Sequence, residues 1–431
     1  MSRLGVDDDS FLSKIFLMDG YRFEPFVSSQ LPSGLTVISA RRPGSRVISA
    51  GVFFGVGAAH ETKEQSGWSH LLEHLHLSND AVDPAARKRI EALFALGARF
   101  NASTGLEYTS YTVEVASRYW SRVGRLVSNA IAHPALREDA VDRERRIVEQ
   151  EMAARNNSSS RLAPTVQSGI FAGTPFAKWT SEVGGTPEGL SGSNMTNLAD
   201  WRERGYVAGN AWVVVSGDIS HESAIEFAMG LNLAPGYLLP YPSGKWDPVA
   251  GTVHITSATT PQTSLVLSWP TVAAGDHVST ALAIIERHLG GSSTSRLFSE
   301  LRTVRGLTYE PLIEHIQYPG VGAMQMWTET MGQRNADEAA DVAIELICEG
   351  WRGLRLIDVR RRVREMLGVY ERVTDAPSSV VAMIGEQFSP LRRLQQPDDY
   401  AARIRAVTLD EVVDTWRRYL REDRVFVVRE N

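Results

Sequence analysis

The architecture follows from one stretch of the chain: Val47-Ile48-Ser49-Ala50-Gly51-Val52-Phe53-Phe54, a glycine-bearing loop over 55–67, and then Ser69-His70-Leu71-Leu72-Glu73-His74. The first run is apolar and predicts a buried β-strand. Gly67 or Ser69 is the predicted start of a helix. A helix places His70 and His74 one turn apart on one face, where both imidazoles can bind one metal ion. The order H-x-x-E-H is the inverse of the commoner H-E-x-x-H zinc motif, and Glu73 is a candidate base.

The same strand and helix recur in the second half of the chain. Adding 214 to a residue number connects three pairs with similar surroundings: Val52-Phe53 with Val266-Leu267, His74 with His288, and Val213-Val214 with Val427-Val428. This repetition predicts a duplicated unit. Strands and helices that do not strictly alternate favour an α+β fold over a doubly wound sheet.

The second copy lacks the complete motif. Where the first half has His70 to His74, the second half has Ile284-Ile285-Glu286-Arg287-His288. Only one histidine remains there, so only the first half is predicted to bind the metal.

The length of 431 residues predicts two domains of about 200 residues each. We assign residues 1–233 to a metal-binding domain and residues 251–431 to a homologous domain without the metal site. The segment 234–250, rich in Pro, Gly and Tyr, is the predicted linker. The predicted fold class is therefore α+β, with two homologous α/β-sandwich domains.

Local patterns predict further elements of the first half. The turn Arg42-Pro43-Gly44-Ser45 lies between two strand-like runs, 35–38 and 47–54, and predicts a hairpin. The alternating segment 100–116 predicts a strand pair that turns near Gly105. Helices are predicted over 85–96, 118–131 and 139–154. The polar run Asn156-Asn157-Ser158-Ser159-Ser160 predicts a loop.

Composition excludes several classes of partner. The net charge of −6 is modest, and the arginines are scattered, so no nucleic-acid surface is indicated. No stretch approaches the roughly 20 apolar residues that a membrane-spanning helix needs, and no secretory signal is visible. The single cysteine, Cys348, lies in an apolar helical run and predicts a buried, inert thiol rather than a catalytic one. These features predict a protein of the reducing cytoplasm.

The helix predicted over 139–154 offers a third metal ligand, which a catalytic zinc site with an open position still needs. Glu144 and Glu151 share a stripe with Val141 and Val148, so both carboxylates are predicted to face the core. A buried carboxylate without a partner is costly, and therefore a cation or hydrogen-bond donors must lie nearby. A metal ion is one answer. The adjacent arginines are the other: Arg143, Arg145 and Arg146.

These residues together resemble the pitrilysin/insulinase-like inverted zincins, a family that includes the mitochondrial processing peptidases. The third zinc ligand of that family follows the motif at the spacing of Glu151, with 76 residues between it and His74. The resemblance implies one zinc ion per chain, held by His70, His74 and Glu151. It also implies that Glu73 is the general base and that Glu144 is an accessory catalytic glutamate.

The resemblance extends over nearly the whole chain. Asn101, Ala102, Ser103 and Thr104 match the family's edge strand, which pairs with the substrate main chain. The segment 289–298 is similar to the family's glycine-bearing helix start. Arg302 and Tyr309 match an Arg/Tyr pair, and the resemblance implies that they stabilise the oxyanion. Without it, a surface ion pair and a core tyrosine would be the simpler interpretation.

A chain with two such units resembles the shorter branch of the family, which dimerises into a clamshell. The resemblance implies that Arg302 and Tyr309 of one subunit act on the metal site of the other. The expected partners are an unstructured peptide substrate and either a second copy of this chain or a related chain, with no nucleic acid and no membrane.

The expected function is that of a zinc endopeptidase that cuts short, unstructured peptides or leader and presequence segments. Two alternatives remain at this stage: a non-catalytic subunit that assembles or holds substrate, and one half of an obligate heterodimeric peptidase. The sequence after His74 departs from the family's usual apolar, Phe- and Gly-containing segment. His76 lies off the ligand face and is interpreted as solvated or as a supporting group.

Overall fold

The computed structural model describes residues 24–77, 84–134, 136–154, 158–178, 183–242, 244–255 and 262–430. The strands are β1 (Val27–Gln30), β2 (Thr36–Arg41), β3 (Val47–Phe54), β4 (Arg99–Thr104), β5 (Thr109–Ala116), β6 (Ala211–Gly217), β7 (Gly251–Ile255), β8 (Gln262–Pro270), β9 (Leu312–Tyr318), β10 (Val321–Met331) and β11 (Phe426–Glu430). The helices of the first half are α1 (Trp68–Leu77), α2 (Pro84–Ala95), α3 (Trp120–Ala132), α4 (Glu138–Ala154), α5 (Ser158–Ile170), α6 (Pro187–Ser191), α7 (Met195–Gly205) and α8 (His221–Met229). Those of the second half are α9 (Ser279–Leu289), a π-helix (Phe298–Val304), α10 (Gln333–Glu349), α11 (Leu356–Val373), α12 (Pro377–Leu391), α13 (Pro397–Ala406) and α14 (Leu409–Tyr419).

The first sheet has the strand order β1-β2-β6-β3-β5-β4. β6 lies between β2 and β3, parallel to the former and antiparallel to the latter. The predicted hairpin at 42–45 is therefore wrong, because the two strands that this turn connects do not pair with each other. The reason is the strand core Trp212-Val213-Val214-Val215, whose four side chains are fully buried. A strand that is apolar on both faces takes a central position in the sheet.

The second sheet has the order β7-β11-β8-β10-β9, which corresponds strand by strand to β2-β6-β3-β5-β4. β7 and β11 are parallel, as β2 and β6 are, and the remaining pairs are antiparallel. The predicted α+β fold with two similar units is confirmed. The domain limits 1–233, 234–250 and 251–431 stay a prediction; the described part of 234–250 contains neither helix nor strand.

One helix from each half packs on the sheet of the other half. Leu162 and Val166 of α5 pack on the second sheet against Val266, Phe426 and Val428. In return, α12 packs on the first sheet in a cluster that includes the stacked rings of Phe53 and Trp212. The exchange ties the halves together through two apolar contacts. It also corrects the loop predicted at 156–160, since Ser158 to Ser160 form the first turn of α5, while Asn156 and Asn157 lie outside the described residues.

Two further predictions concern membrane-spanning helices and the reactivity of Cys348. Within the described ranges, no helix combines the length and apolarity that crossing a membrane requires. Cys348, on α10, is buried, and its burial raises the pKa of the thiol to about 12. A thiol with so high a pKa carries almost no thiolate at neutral pH and is a poor nucleophile.

Candidate metal centre

The helix that carries the motif, α1, is fixed at its first turn by a buried carboxylate. Glu61 is 3% exposed, and its two oxygens accept hydrogen bonds from the backbone N–H groups of Gly67 (2.9 Å) and Ser69 (2.7 Å). Gly67 has a φ of +95°, and a Cβ there would lie 2.6 Å from Gly185 Cα. Only glycine fits such a position. The start of α1 is therefore set at Trp68, between the two predicted positions.

Three predicted ligands converge on one point. The ligand atoms of His70, His74 and Glu151 all lie within 4.8 Å of one another. Glu151 Oε2 is 3.8 Å from His70 Nε2 and 3.8 Å from His74 Nε2. The centroids of the two imidazole rings are 4.7 Å apart, and the ring planes are nearly perpendicular. The helical spacing within α1 and the packing of α4 against it together produce this arrangement.

Of the two carboxylates predicted to face the core, Glu144 is buried, whereas the Glu151 side chain is 42% exposed. Glu144 has an arginine partner, as one of the two alternatives predicts, and also lies beside an imidazole. Its Oε2 atom lies 3.4 Å from His74 Nδ1, on the side of the ring away from Glu151, and its Oε1 atom lies 3.5 Å from Arg143 Nε. Arg145 instead pairs with Asp142 at 2.8 Å. Glu144 is thus shared between an imidazole and an arginine, whereas Glu151 lies beside two imidazoles.

Glu73 lies next to this cluster and is connected to the sheet edge. Its side chain accepts a hydrogen bond of 2.6 Å from Thr104 Oγ1, and only 7% of the residue is exposed. Burial raises the pKa of the Glu73 carboxyl, and the hydrogen bond from Thr104 partly offsets this effect. Thr104 is the last residue of β4, which is an edge strand of the first sheet. The predicted edge strand therefore touches the predicted base directly.

The electrostatics of the cluster fit a divalent cation. Burial alone lowers the pKa of His74, but the hydrogen bond to Glu144 and the carboxylates of Glu151 and Glu73 outweigh burial, so this pKa is raised. Three carboxylates thus surround two imidazoles in a largely buried site. Two histidines and one glutamate form one of the known donor sets of catalytic zinc, and a cation there would balance the negative charge.

His76 lies outside this cluster. It is 4% exposed and contacts the phenols of Tyr111 and Tyr206: its Nδ1 atom is 3.0 Å from Tyr111 Oη, and its ring stacks on Tyr206. Burial lowers the pKa of His76 to about 3. The interpretation of His76 as solvated is wrong, because the ring is a neutral member of the core behind α1.

Arg302 and Tyr309 lie together in the second half of the chain. Arg302 is on the π-helix, and its guanidinium lies 4.2 Å from the centre of the Tyr309 ring. Tyr309 is 74% exposed, so it is not the core tyrosine that its type alone would suggest. The pair forms a cation–π contact at the surface.

Comparisons with known proteins agree with this geometry. The family described as Insulinase (Peptidase family M16) matches residues 36–181, the range that contains the whole metal cluster. A second family, described as Peptidase M16 inactive domain, matches residues 194–359. The chain belongs to the insulinase family of peptidases. Within this insulinase-family chain, the part matched as inactive includes Ile284, which takes the place of His70 in the second copy.

Relatives of this family member span most of the chain. An uncharacterised zinc protease of Mycobacterium leprae (strain TN) is 28% identical over 313 residues, covering 71% of this chain and 69% of the relative. The uncharacterised zinc protease YmxG of Bacillus subtilis (strain 168) is 24% identical over 395 residues, covering 91% and 95%. The crystal structure of a protease from Helicobacter pylori matches with a TM-score of 0.84 at 19% identity, covering 95% of this chain and 100% of that one. This structural likeness shows a shared fold.

Sequence patterns did not reveal Glu61 or the bond between Thr104 and Glu73. Glu61 precedes the helix that it caps by seven residues, outside the local spacing of known capping motifs. For Thr104 the sequence predicts only a role of its backbone in the edge strand. The single available signal was an acidic residue shortly before a glycine-bearing helix start.

Proposed function

We propose that this chain is a zinc-dependent endopeptidase that hydrolyses short, unstructured peptides or leader and presequence segments inside a dimeric chamber. The observation that carries the proposal is the convergence of His70, His74 and Glu151 beside the buried Glu73. The presence of every ligand favours an enzyme over a non-catalytic subunit. The zinc protease names of the two relatives support the same reaction class.

The metal and Glu73 would have different roles in peptide hydrolysis. Zinc on His70, His74 and Glu151 would supply Lewis acidity, which activates water and polarises a peptide carbonyl. Glu73 accepts the proton of the attacking water and delivers it to the leaving amine. Thr104 holds one Glu73 oxygen by a 2.6 Å hydrogen bond and so fixes the orientation of the carboxylate. Glu144 orients His74 through Nδ1.

The edge strand β4 is the proposed substrate platform. β4 pairs with β5 on one side and is one of the two edge strands of its sheet. An extended peptide added along Asn101 to Thr104 would be held by backbone hydrogen bonds, which give little preference for side chains. Because Thr104 contacts Glu73, such a peptide would lie directly beside the base. A folded substrate has few free strands to offer, which favours unstructured peptides.

The first experiment measures zinc content and cleavage together. Purified protein should bind about one zinc per chain and should cut members of a library of unfolded peptides analysed by mass spectrometry. Glu73→Gln should keep the zinc and the melting temperature but lower kcat/KM by about 10² to 10⁴-fold, the usual contribution of a general base. Cleavage at the wild-type rate in that variant would contradict the mechanism. If the wild type binds zinc but cuts only after a related chain is added, the heterodimer alternative is correct.

The dimer proposal has its own test. In the clamshell arrangement, Arg302 and Tyr309 of one subunit complete the site of the other, so a mixed dimer of Glu73→Gln and Arg302→Ala chains contains one complete site. Mixing the two inactive variants under conditions that allow subunit exchange should restore part of the activity. No recovery, although light scattering shows dimers and exchange, would contradict the arrangement in trans.

A further inference from the structure

The two arginines at the end of the π-helix have different surroundings. Arg305, directly after the helix, pairs with the carboxylates of Glu300 at 3.9 Å and Glu338 at 3.7 Å. Arg302 pairs with no carboxylate and no hydrogen-bond acceptor of the described residues. Its guanidinium carbon lies instead against two aromatic rings, and one of these is Phe298, whose ring centre is 4.8 Å away. Arg305 therefore uses the negative charge of this surface, and the N–H groups of Arg302 stay available.

Phe298 is the first residue of the π-helix and is not part of the core beneath it. The neighbouring Leu297 and Leu301 are fully buried in the core of the second half, whereas Phe298 is half-buried and lies outside that cluster. The wide helical turn is seen in the 3.2 Å hydrogen bond from the Arg305 N–H to the Glu300 carbonyl. Such turns are rare and often lie at functional sites. Core packing therefore does not explain the position of the ring, but its contact with the guanidinium does.

The second ring beside Arg302 is anchored to the second sheet. Thr308 forms an isolated β-bridge with Thr330, and its hydroxyl donates a 2.9 Å hydrogen bond to the Glu329 carbonyl. The next residue, Tyr309, is 74% exposed, so β10 holds the backbone while the ring lies at the surface. Arg302 thus contacts one ring that belongs to the π-helix and a second ring that is attached to the sheet.

Aromatic partners leave an arginine in a different state from carboxylate partners. The side chain has several rotatable bonds, so a free guanidinium adopts many orientations and must be ordered when it binds. A ring contacts the face of the guanidinium and leaves the N–H groups at its edge free to donate. A carboxylate would also order the side chain, but it would occupy these donors and balance the charge. The two rings therefore orient Arg302 and preserve both its donors and its positive charge.

We infer that Phe298 is a positioning residue for Arg302, an inference that rests on the proposed peptidase function. Its ring holds the guanidinium in the orientation in which the N–H groups reach the oxyanion of the reacting peptide. Without the ring, Arg302 keeps its charge but occupies more rotamers, so a smaller fraction of the molecules has the guanidinium in place. In the clamshell dimer, Phe298 of one subunit orients the arginine that serves the metal site of the other.

The first measurement is peptide cleavage by full-length, zinc-loaded variants. Phe298→Leu keeps an apolar side chain but removes the ring. It should lower kcat and kcat/KM to the same extent, by about three- to tenfold, because one cation–π contact that acts in the transition state is lost. Phe298→Tyr keeps the ring and should restore the wild-type values. Zinc content and melting temperature should be unchanged in both; if Phe298→Leu lowers the melting temperature, Phe298→Met is the second variant without a ring.

Double variants show whether Phe298 acts through Arg302. In the Arg302→Ala background, Phe298→Leu should cause no further loss, because the group that it orients is absent. Two matched controls should cleave at the wild-type rate. Arg305→Ala removes the neighbouring positive charge, and Trp351→Leu removes a ring that lies 4.9 Å from the guanidinium carbon of Arg417.

A measurement without catalysis separates this inference from the peptidase function. ¹⁵N relaxation of the Arg302 Nε–H group, assigned by its loss in Arg302→Ala, should show an ordered side chain in the wild type and a mobile one in Phe298→Leu. Equal order in both proteins, or a loss of kcat that persists in the Arg302→Ala background, overturns the positioning role. If the wild type cuts no peptide but Arg302 becomes mobile in Phe298→Leu, the ring does hold the guanidinium and the peptidase function falls. If peptides are cut at the same rate by the wild type and by Phe298→Leu, the peptidase function stands and the positioning role falls.

Discussion

The two halves of the chain contain corresponding pairs of helices that carry different functional side chains. In the first half, α1 and α4 bring together two imidazoles and three glutamates. The corresponding helices of the second half, α9 and α11, differ at three of five positions. With an offset of 214, the pairs are His70 and Ile284, Glu73 and Arg287, His74 and His288, Glu144 and Asp358, and Glu151 and Glu365.

The second half satisfies its glutamate with arginines. Glu365 lies 3.7 Å from Arg287 and 2.6 Å from Arg362, whereas Glu151 lies beside His70 and His74. Burial and the nearby Arg362 lower the pKa of His288 to about 4, while the pKa of His74 is raised by its carboxylates. The scaffold alone therefore does not bring a set of metal ligands together. The second half has Ile284 at the position of His70 and Arg287 at the position of Glu73.

The largest expected effect is a loss of zinc, which should follow the removal of a glutamate in the first half but not the removal of its counterpart in the second half. Glu151→Gln should reduce the zinc content from about one per chain to nearly none, because a catalytic zinc site depends on its three protein ligands. Cleavage should fall with it by more than about 10²-fold. Glu365→Gln should keep both zinc and cleavage and should lower the free energy of unfolding by about 1 kcal/mol, because Arg362 loses a partly exposed partner. Metal analysis, kinetics and urea unfolding are the measurements. Equal loss of zinc in both variants would contradict the contrast between the halves.

The site was predictable because its signals are local. The spacing of His70 and His74 follows from one helical turn, and the stripe that contains Glu144 and Glu151 follows from the periodicity of α4. The approach of α1 to α4 is a feature of the tertiary structure, and the residue spacing within either helix does not predict it. It is predicted only by the resemblance to a known family.

The features that were missed depend on contacts between distant segments. The turn at 42–45 has hairpin composition, but β6, more than 160 residues later, inserts between the two strands that it connects. The serines of 158–160 have loop composition, yet the helix that they begin is stabilised by packing on the second sheet. Tertiary packing overrides local preference in both cases.

A smaller effect is expected from the residue behind the metal ligand. Glu144→Gln removes the charge next to His74 Nδ1, which orients the ring and increases its basicity. Zinc affinity should fall by about 10- to 100-fold, the typical effect of such outer partners. The equivalent change in the second half is Asp358→Asn, where the carboxylate pairs with Arg355 at 3.1 Å. Competition with a zinc-binding dye should show no change for that variant. An unchanged affinity in Glu144→Gln would show that His74 does not depend on this carboxylate.

The smallest effect concerns a difference in the turns at the sheet edges. The first half connects β4 and β5 through Gly105 to Tyr108, whereas the second half connects β9 and β10 through Pro319-Gly320 alone. The longer turn places Glu107 against the exchanged helix α12, where its carboxylate accepts a 3.4 Å hydrogen bond from Ser389. Burial raises the pKa of Glu107 to about 7, although Ser389 and Arg392 act in the opposite direction.

The raised pKa of Glu107 makes the contact between the halves dependent on pH. Between the ordinary carboxyl pKa of 4.5 and about 7, the folded state binds more protons at Glu107 than the unfolded state does. Stability is therefore lost as the pH rises through this window. From pH 5 to pH 8, the wild type should lose about 1 to 2 kcal/mol relative to Glu107→Gln, which has no proton to release. Urea unfolding of both proteins across this range measures the difference, with Glu345→Gln as the control that should follow the wild type. Parallel pH profiles for the wild type and Glu107→Gln would show that the longer turn adds no ionisable contact between the halves.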